Sequence, residues 1–211
     1  MKKALIFDLD GTLADTLPIC IESFQDALFA MTGKRPTENE VYAFFGYTEE
    51  AISKNLFPDD WENYFEHYIK IYEEKLIRNG KTVFKGVYEL LDELKSKGHK
   101  IALVSAKGKV AGDLTLEYFE ISHFFEYAEY GISAKGNKPE NIAKIVDRWG
   151  LDPVEVYYVG DSHTDIRDAK EAGVNSIAAA WASTANVEKL KEHSPFLLFD
   201  NFEDFKNWAL N

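Results

Sequence analysis

The chain has 211 residues, 45% of them hydrophobic and 28% charged, which suits a soluble globular protein of one large domain or a core with an insertion. Acidic residues outnumber basic ones 36 to 24, for a formal net charge of −12; with no basic run to offset it, the charge argues against a nucleic-acid backbone as partner, though less against small phosphates. The single cysteine, Cys20, allows no internal disulfide and fits a reducing cytoplasm, and no apolar run is long enough for a signal peptide or a membrane span.

Ala4–Phe7 predicts a short apolar strand that runs straight into Asp8-Leu9-Asp10-Gly11-Thr12. Alternation along a strand turns Asp8 and Asp10 to one face and Leu9 to the interior. Two carboxylates held together repel unless one is protonated or both meet a cation. The pair suits chemistry, with one acid as nucleophile and metal ligand and the other moving protons. Gly11 permits a tight turn, and Thr12 is expected to begin a helix.

Leu17, Ile21, Phe24, Leu28 and Met31 then recur at helical spacing up to Gly33. Further helices are expected over Glu38–Phe45, Thr48–Leu56 and Trp61–Arg78, with no strand between Leu17 and Lys81. From Gly86 helix and strand alternate. Strands are expected at Lys100–Val104, Tyr127–Tyr130, Val156–Val159, Ser176–Ala180 and Phe196–Phe199. The helices between and after them are Val87–Lys97, Val110–Phe119, Asn141–Trp149, Asp165–Ala172, Val187–His193 and Phe202–Leu210. Such alternation implies right-handed crossovers and a parallel sheet. The partition expected is an α/β core of residues 1–15 plus 82–211, with an all-helical cap at 16–81 whose joints are punctuated by Pro18 and Gly80. An insertion after the first strand sits above the carboxyl ends of the sheet, where ligands bind in open α/β folds.

Three further places supply what the Asp pair needs. The strand ending at Val104 leads into Ser105-Ala106-Lys107, a hydroxyl and free backbone amides at a strand terminus. Lys138 stands before Pro139 at a helix start, where the dipole favours an anion rather than a cation; an anion shared with the helix accounts for it, and Pro139 places Lys138 ahead of Lys135. Tyr157-Tyr158-Val159 ends in Gly160-Asp161, followed by Asp165, adding carboxylate oxygens for a hard cation such as Mg²⁺.

In this order the residues closely resemble the haloacid dehalogenase superfamily of aspartyl-nucleophile phosphatases. Asp8-Leu9-Asp10-Gly11-Thr12-Leu13 matches its first motif, Ser105 its second, Lys138-Pro139 its third, and Gly160-Asp161 with Asp165 its fourth. The resemblance covers nearly the whole chain. It implies a Rossmann-like doubly wound parallel sheet with the helical cap of the phosphoglycolate-phosphatase-like and phosphoglucomutase-like branch.

The resemblance also implies the roles. Asp8 is the nucleophile, and Asp10 is the general acid and base. Asp8, the main-chain carbonyl of Asp10 and Asp161 hold Mg²⁺, while Ser105, Ala106 and Lys138 hold the phosphate. Gly11, Thr12 and Asp165 support them, Asp165 by holding a metal-bound water or orienting Lys138. Two departures stand out: Ala106 where relatives often have Asn, and Asn137 where they often have Gly before the lysine. The second Asp argues against the metal-free dehalogenases.

Plainer roles are expected elsewhere. His163 is read as an exposed or locally bonded loop residue, Cys20 as a core or seam residue, and Ser183, Thr184 and Asn186 as a solvated loop. The aromatics Tyr42, Phe44, Phe45, Trp61, Tyr64, Phe65, Tyr68 and Tyr72 are read as packing within the cap, and Phe44–Thr48, broken by Gly46, as a substrate-selecting loop. The function expected is a Mg²⁺-dependent phosphatase of a small phosphorylated metabolite, cytoplasmic, a monomer or weak dimer, with no nucleic-acid or membrane partner. The alternatives are a phosphoglucomutase-like transferase, disfavoured because Gly46–Ile52 has no Arg to clamp a second phosphate, and a non-catalytic regulator on the same fold. A phosphonatase would need a desolvated cap lysine, and Lys54 gives no sign of one.

Overall fold

A computed structural model describes residues 2–132 and 137–211. Six parallel strands form one sheet: β1 (Ala4–Phe7), β2 (Lys100–Gly108), β3 (Tyr127–Gly131), β4 (Val156–Gly160), β5 (Asn175–Ala179) and β6 (Leu197–Phe199), in the order β3-β2-β1-β4-β5-β6. The chain builds outward from β1 on one side, then returns to β4 and builds outward on the other. The reversal lies between β1 and β4, and a doubly wound sheet opens its binding crevice there, at the carboxyl ends of the strands.

Helices cover both faces because β1 and its neighbours are apolar on both. Leu5 and Phe7 pack with Ile101, Leu103 and Val159 under α5 (Val87–Ser96) and α10 (Phe202–Leu210). Ala4 and Ile6 pack with Ala102, Val104 and Tyr158 under α7 (Lys138–Trp149) and α8 (His163–Glu171). The period-two alternation of a strand thus divides the core. The remaining core helices are α6 (Lys109–Tyr118) and α9 (Val187–Glu192).

Between β1 and α5 lie α1 (Leu17–Thr32), α2 (Glu38–Tyr42), α3 (Glu49–Leu56) and α4 (Trp61–Asn79), with no named strand. Helical spacing on α4 puts Tyr64, Tyr68 and Tyr72 on one fully buried face. Phe24 of α1 packs on Tyr68 at 4.3 Å between ring centroids. Those tyrosines are packing residues, as expected, whereas Tyr42 is exposed. The Tyr72 hydroxyl bonds Thr115 of α6 at 2.9 Å, tying α4 to the core. The segment enters and leaves along one path: the Asp15 amide donates to the Thr82 carbonyl, the Phe84 amide to the Leu13 carbonyl, and Ala14 bridges Val83 antiparallel.

Three local expectations are corrected. Thr12 begins no helix: residues after Gly11 form a turn in which the amides of Thr12, Leu13 and Ala14 donate to the Leu9 carbonyl, and the helix waits until Leu17. Strand β2 does not end at Val104 but continues through Ser105, Ala106 and Lys107, because Gly108 pairs with Gly131 after a shift of register. The helix expected to reach Phe45 ends at Tyr42, giving way to turns around Gly46. No helix among the described residues is long and apolar enough to cross a membrane.

Candidate active site

The carboxyl ends of β1 and β4 deliver the acids to the crevice. Asp8 follows β1 directly and is buried, with the Leu9 amide donating to its Oδ1 at 2.8 Å. Lys138, on the first turn of α7, donates from Nζ to Asp8 Oδ2 at 2.7 Å and to Asp165 Oδ1 at 2.6 Å. Asp165 also caps its own helix, since its Oδ2 accepts from the Ser162 amide and hydroxyl. The capping role and the lysine-orienting role therefore coexist in one carboxylate.

Burial sets the electrostatics of this cluster. It pushes the Asp8 carboxyl up to about 6, with Lys138 opposing and Asp165 adding to the rise. Asp161 is driven well above the usual carboxylate range, first by burial and then by Asp165 and Asp8. Burial acts on Asp165 too, but Lys138 and the bonds from Lys138 and Ser162 outweigh it and hold that acid below its ordinary value. Lys138 stays protonated: burial alone would lower it, and Asp165 and Asp8 more than compensate.

Asp8, Asp161 and Asp165 can each bring a carboxylate oxygen within 4.8 Å of the others. Asp161 has no ion-pair partner among the described residues, and the three acids together could hold a cation. An all-oxygen donor set suits a hard divalent ion. Gly11 makes room for the Asp161 carboxylate, because a Cβ there would lie 2.3 Å from Asp161 Oδ2 and the backbone turns with φ of 75°. The Asp10 carboxylate does not join that group. It accepts from Thr16 Oγ1 at 2.5 Å and lies 3.4 Å from Lys107 Nζ. Strand pairing ends at Phe7, before either acid, and each acid of the pair has its own lysine.

Lys107, Glu49, Thr16 and Tyr158 are the site residues that sequence reasoning missed. Lys107 Nζ is buried between Asp10 and Glu49 of α3, each at 3.4 Å, and lies 4.6 Å from the Tyr72 ring centre. Burial would lower its pKa, but Asp10, Cys20, Tyr72 and Glu49 raise it well above the ordinary value. A charged residue in the buried end of a strand was the available signal for Lys107. Glu49 offered none, being one acid among several on a helix start. Tyr158 Oη donates to the Val104 carbonyl at 3.0 Å beside Asp165.

The other expected residues fall as follows. The Ser105 hydroxyl accepts the Lys107 amide at 3.3 Å and bonds none of the four carboxylates. Ala106 lies beside it on β2. Thr12 is buried, its carbonyl accepting from Trp181 Nε1 at 3.0 Å. Cys20 sits at the seam, 3.4 Å from Lys107 Nζ, where burial pushes its thiol up to about 12. His163 opens α8 with its ring against His193. Ser183 and Thr184 are exposed, and Asn186 caps α9. Lys54 is exposed and pairs with Glu50. Lys135 lies outside the described residues.

The chain as a whole is similar to known proteins. Residues 5–179 match the haloacid dehalogenase-like hydrolase family. A candidate pyrophosphatase PpaX of Caldanaerobacter subterraneus subsp. tengcongensis is 31% identical over 194 residues, covering 91% of this chain and 87% of the relative. Pyrophosphatase PpaX of Bacillus velezensis is 28% identical over 206 residues, covering 95% and 93%. The crystal structure of a predicted phosphoglycolate phosphatase from Haemophilus somnus superposes with a TM-score of 0.77, at 24% identity and 99% and 98% coverage, which supports the fold. The acids that end β1 and β4, the lysine that opens α7 and the match along most of the chain agree: this protein belongs to the haloacid dehalogenase-like hydrolase family.

Proposed function

We propose that the chain is a Mg²⁺-dependent phosphatase that hydrolyses a small phosphate monoester, phosphoglycolate-phosphatase-like, through an aspartyl-phosphate on Asp8. The observation that carries the reading is the pairing of Asp8 with Lys138 beside Asp161 and Asp165 while Asp10 is held apart on Lys107. The two acids of one turn are thereby set up for different tasks. On this reading residues 16–81 form a cap over a core of 1–15 and 82–211.

Asp8 attacks phosphorus, forming a P–O bond to its carboxylate as the bond to the leaving oxygen breaks, and Asp10 gives that oxygen a proton. Asp10 then takes a proton from water as the water oxygen attacks phosphorus, which releases inorganic phosphate and restores Asp8. Lys138, oriented by Asp165, and the Ser105–Ala106 segment hold equatorial phosphate oxygens. Asp8, Asp161 and the main-chain carbonyl of Asp10 would hold Mg²⁺, which supplies positive charge against the phosphoryl oxygens. Gly11 leaves room for Asp161, and Thr12 anchors the turn through Trp181.

From the α1–α4 segment Glu49, Cys20 and Tyr72 meet Lys107, and none of them is a cation that would favour a second-phosphate clamp of the mutase kind. The test is phosphate release from a panel of phosphate esters with Mg²⁺ or EDTA, with Asp8→Asn as control. Metal-dependent release that the substitution abolishes is expected. No release, even from reactive aryl phosphates, would end the proposal.

A further inference from the structure

Glu49 stands on the first turn of α3 and is buried, a place where an acid needs partners. Its Oε2 accepts the Gly108 amide at 2.7 Å, and its Oε1 lies 3.4 Å from Lys107 Nζ. Two glycines let the start of α3 press onto the ends of β2 and β3. A Cβ on Gly108 would lie 2.8 Å from Glu49 Oε2, and one on Gly131 would lie 2.6 Å from Thr48 Cγ2. Lys107 is thus shared between Asp10 and Glu49. The other buried lysines among the described residues are engaged elsewhere, Lys75 with Glu22 and Asp26 and Lys138 with Asp8 and Asp165. Among the described residues, the one buried ammonium beside Asp10 already has two anions.

We propose that Glu49 is a charge filter for the leaving group: by holding Lys107 it selects phosphate esters of neutral, hydroxyl-bearing alcohols over substrates that carry a second anion. The inference rests on the phosphatase reading above and narrows it away from 2-phosphoglycolate itself, whose leaving group carries a carboxylate. In that reading the leaving group departs beside Asp10. A carboxylate or second phosphate placed there must take Lys107 from Glu49. It would leave Glu49 buried with only the Gly108 amide, and facing the incoming anion. A hydroxyl makes no such demand, because it donates to a carboxylate while Lys107 keeps both partners. Repulsion aimed at the wrong ligand is a general source of specificity. On this count the chain parts from the relatives named as pyrophosphatases.

The test compares kcat/KM with Mg²⁺ for pyrophosphate, 2-phosphoglycolate, glycerol 1-phosphate and p-nitrophenyl phosphate in wild type, Glu49→Gln and Glu49→Asp. Wild type is expected to prefer the esters with neutral leaving groups. Glu49→Gln should raise the ratio of anionic to neutral substrates by about tenfold or more, since it removes the like charge that faces the incoming anion. Glu49→Asp, which keeps the charge, should keep the wild-type preference. Binding gives a readout without turnover: calorimetry with methylenediphosphonate and Mg²⁺ should show about tenfold tighter binding to Glu49→Gln than to wild type. Turnover of p-nitrophenyl phosphate with a wild-type preference for pyrophosphate, or with ratio and affinity unmoved by Glu49→Gln, overturns the filter alone. Failure of every ester, p-nitrophenyl phosphate included, overturns the phosphatase reading and the filter with it.

Discussion

Replacing Asp8 by Asn is expected to stabilise the metal-free protein at neutral pH even as it removes the proposed nucleophile. Burial, opposed by Lys138, lifts the Asp8 carboxyl from an ordinary 3.8 to about 6. A tenfold shift in proton affinity is worth about 1.4 kcal/mol, so ionising Asp8 in the fold at pH 7 costs ~3 kcal/mol relative to the unfolded chain. The folded carboxyl holds its proton more tightly than the unfolded one. The cost is therefore absent below 3.8, grows as pH rises, and is complete once pH passes about 6. Asparagine keeps the shape without a charge to desolvate, and Lys138 retains Asp165 at 2.6 Å. In a chain of this size 1 kcal/mol moves Tm by about 2–4 °C, so the variant should melt ~6–12 °C above wild type at pH 7–8. Thermal unfolding in EDTA across pH 4 to 8 measures it, and the gap should close toward the acid end. Saturating Mg²⁺ should raise the wild-type Tm more than the variant's. A variant less stable than wild type at pH 8, or a gap indifferent to pH, would refute the reasoning.

Three other outcomes are expected. Asp10→Asn should slow phosphate release by about 10²–10⁴-fold, the worth of a placed general acid–base, and intact-mass spectrometry should find phosphorylated protein; full activity would remove Asp10 from the mechanism. Tyr72→Phe deletes the buried bond to Thr115 and should cost about 1 kcal/mol in denaturant unfolding, where no change would mean the bond ties nothing. Gly11→Ala puts a Cβ 2.3 Å from Asp161 Oδ2 at a φ of 75°, so it should lose about 1–2 kcal/mol from the backbone alone. It should also blunt the rise in Tm that Mg²⁺ produces, and an undiminished rise would separate Gly11 from the metal.

The two-sided sheet, the order of its elements and half of the site were legible in the chain, because the signals are local. An apolar run that ends in an acid marks a strand whose carboxyl end faces the crevice, and Asp8 and Asp161 follow from that. Lys138 followed from a cation set against the helix dipole. Glu49 and Lys107 were hidden because they lie 58 positions apart and meet only after α3 folds onto β2. The early end given to β2 has a similar cause. Lys107 and Gly108 look like the close of a strand, and only pairing with Gly131 carries it on. Thr12 misled because a polar residue after a glycine suits a helix start, while the Leu9 carbonyl gathers its neighbours' amides into a turn.

The twin passage between β1 and α5 has a mechanical consequence. Two stretches of chain laced together at Asp15–Thr82, Ala14–Val83 and Leu13–Phe84 make a two-ply ribbon rather than a pair of loose tethers. A ribbon flexes across its flat face and resists shear and torsion, so α1–α4 would pivot on it like a door leaf, along one arc. Thr16 sits at the edge of that ribbon with its hydroxyl on Asp10. A swing of α1–α4 on that ribbon would therefore pull on a single carboxylate and turn Asp10 toward or away from a ligand.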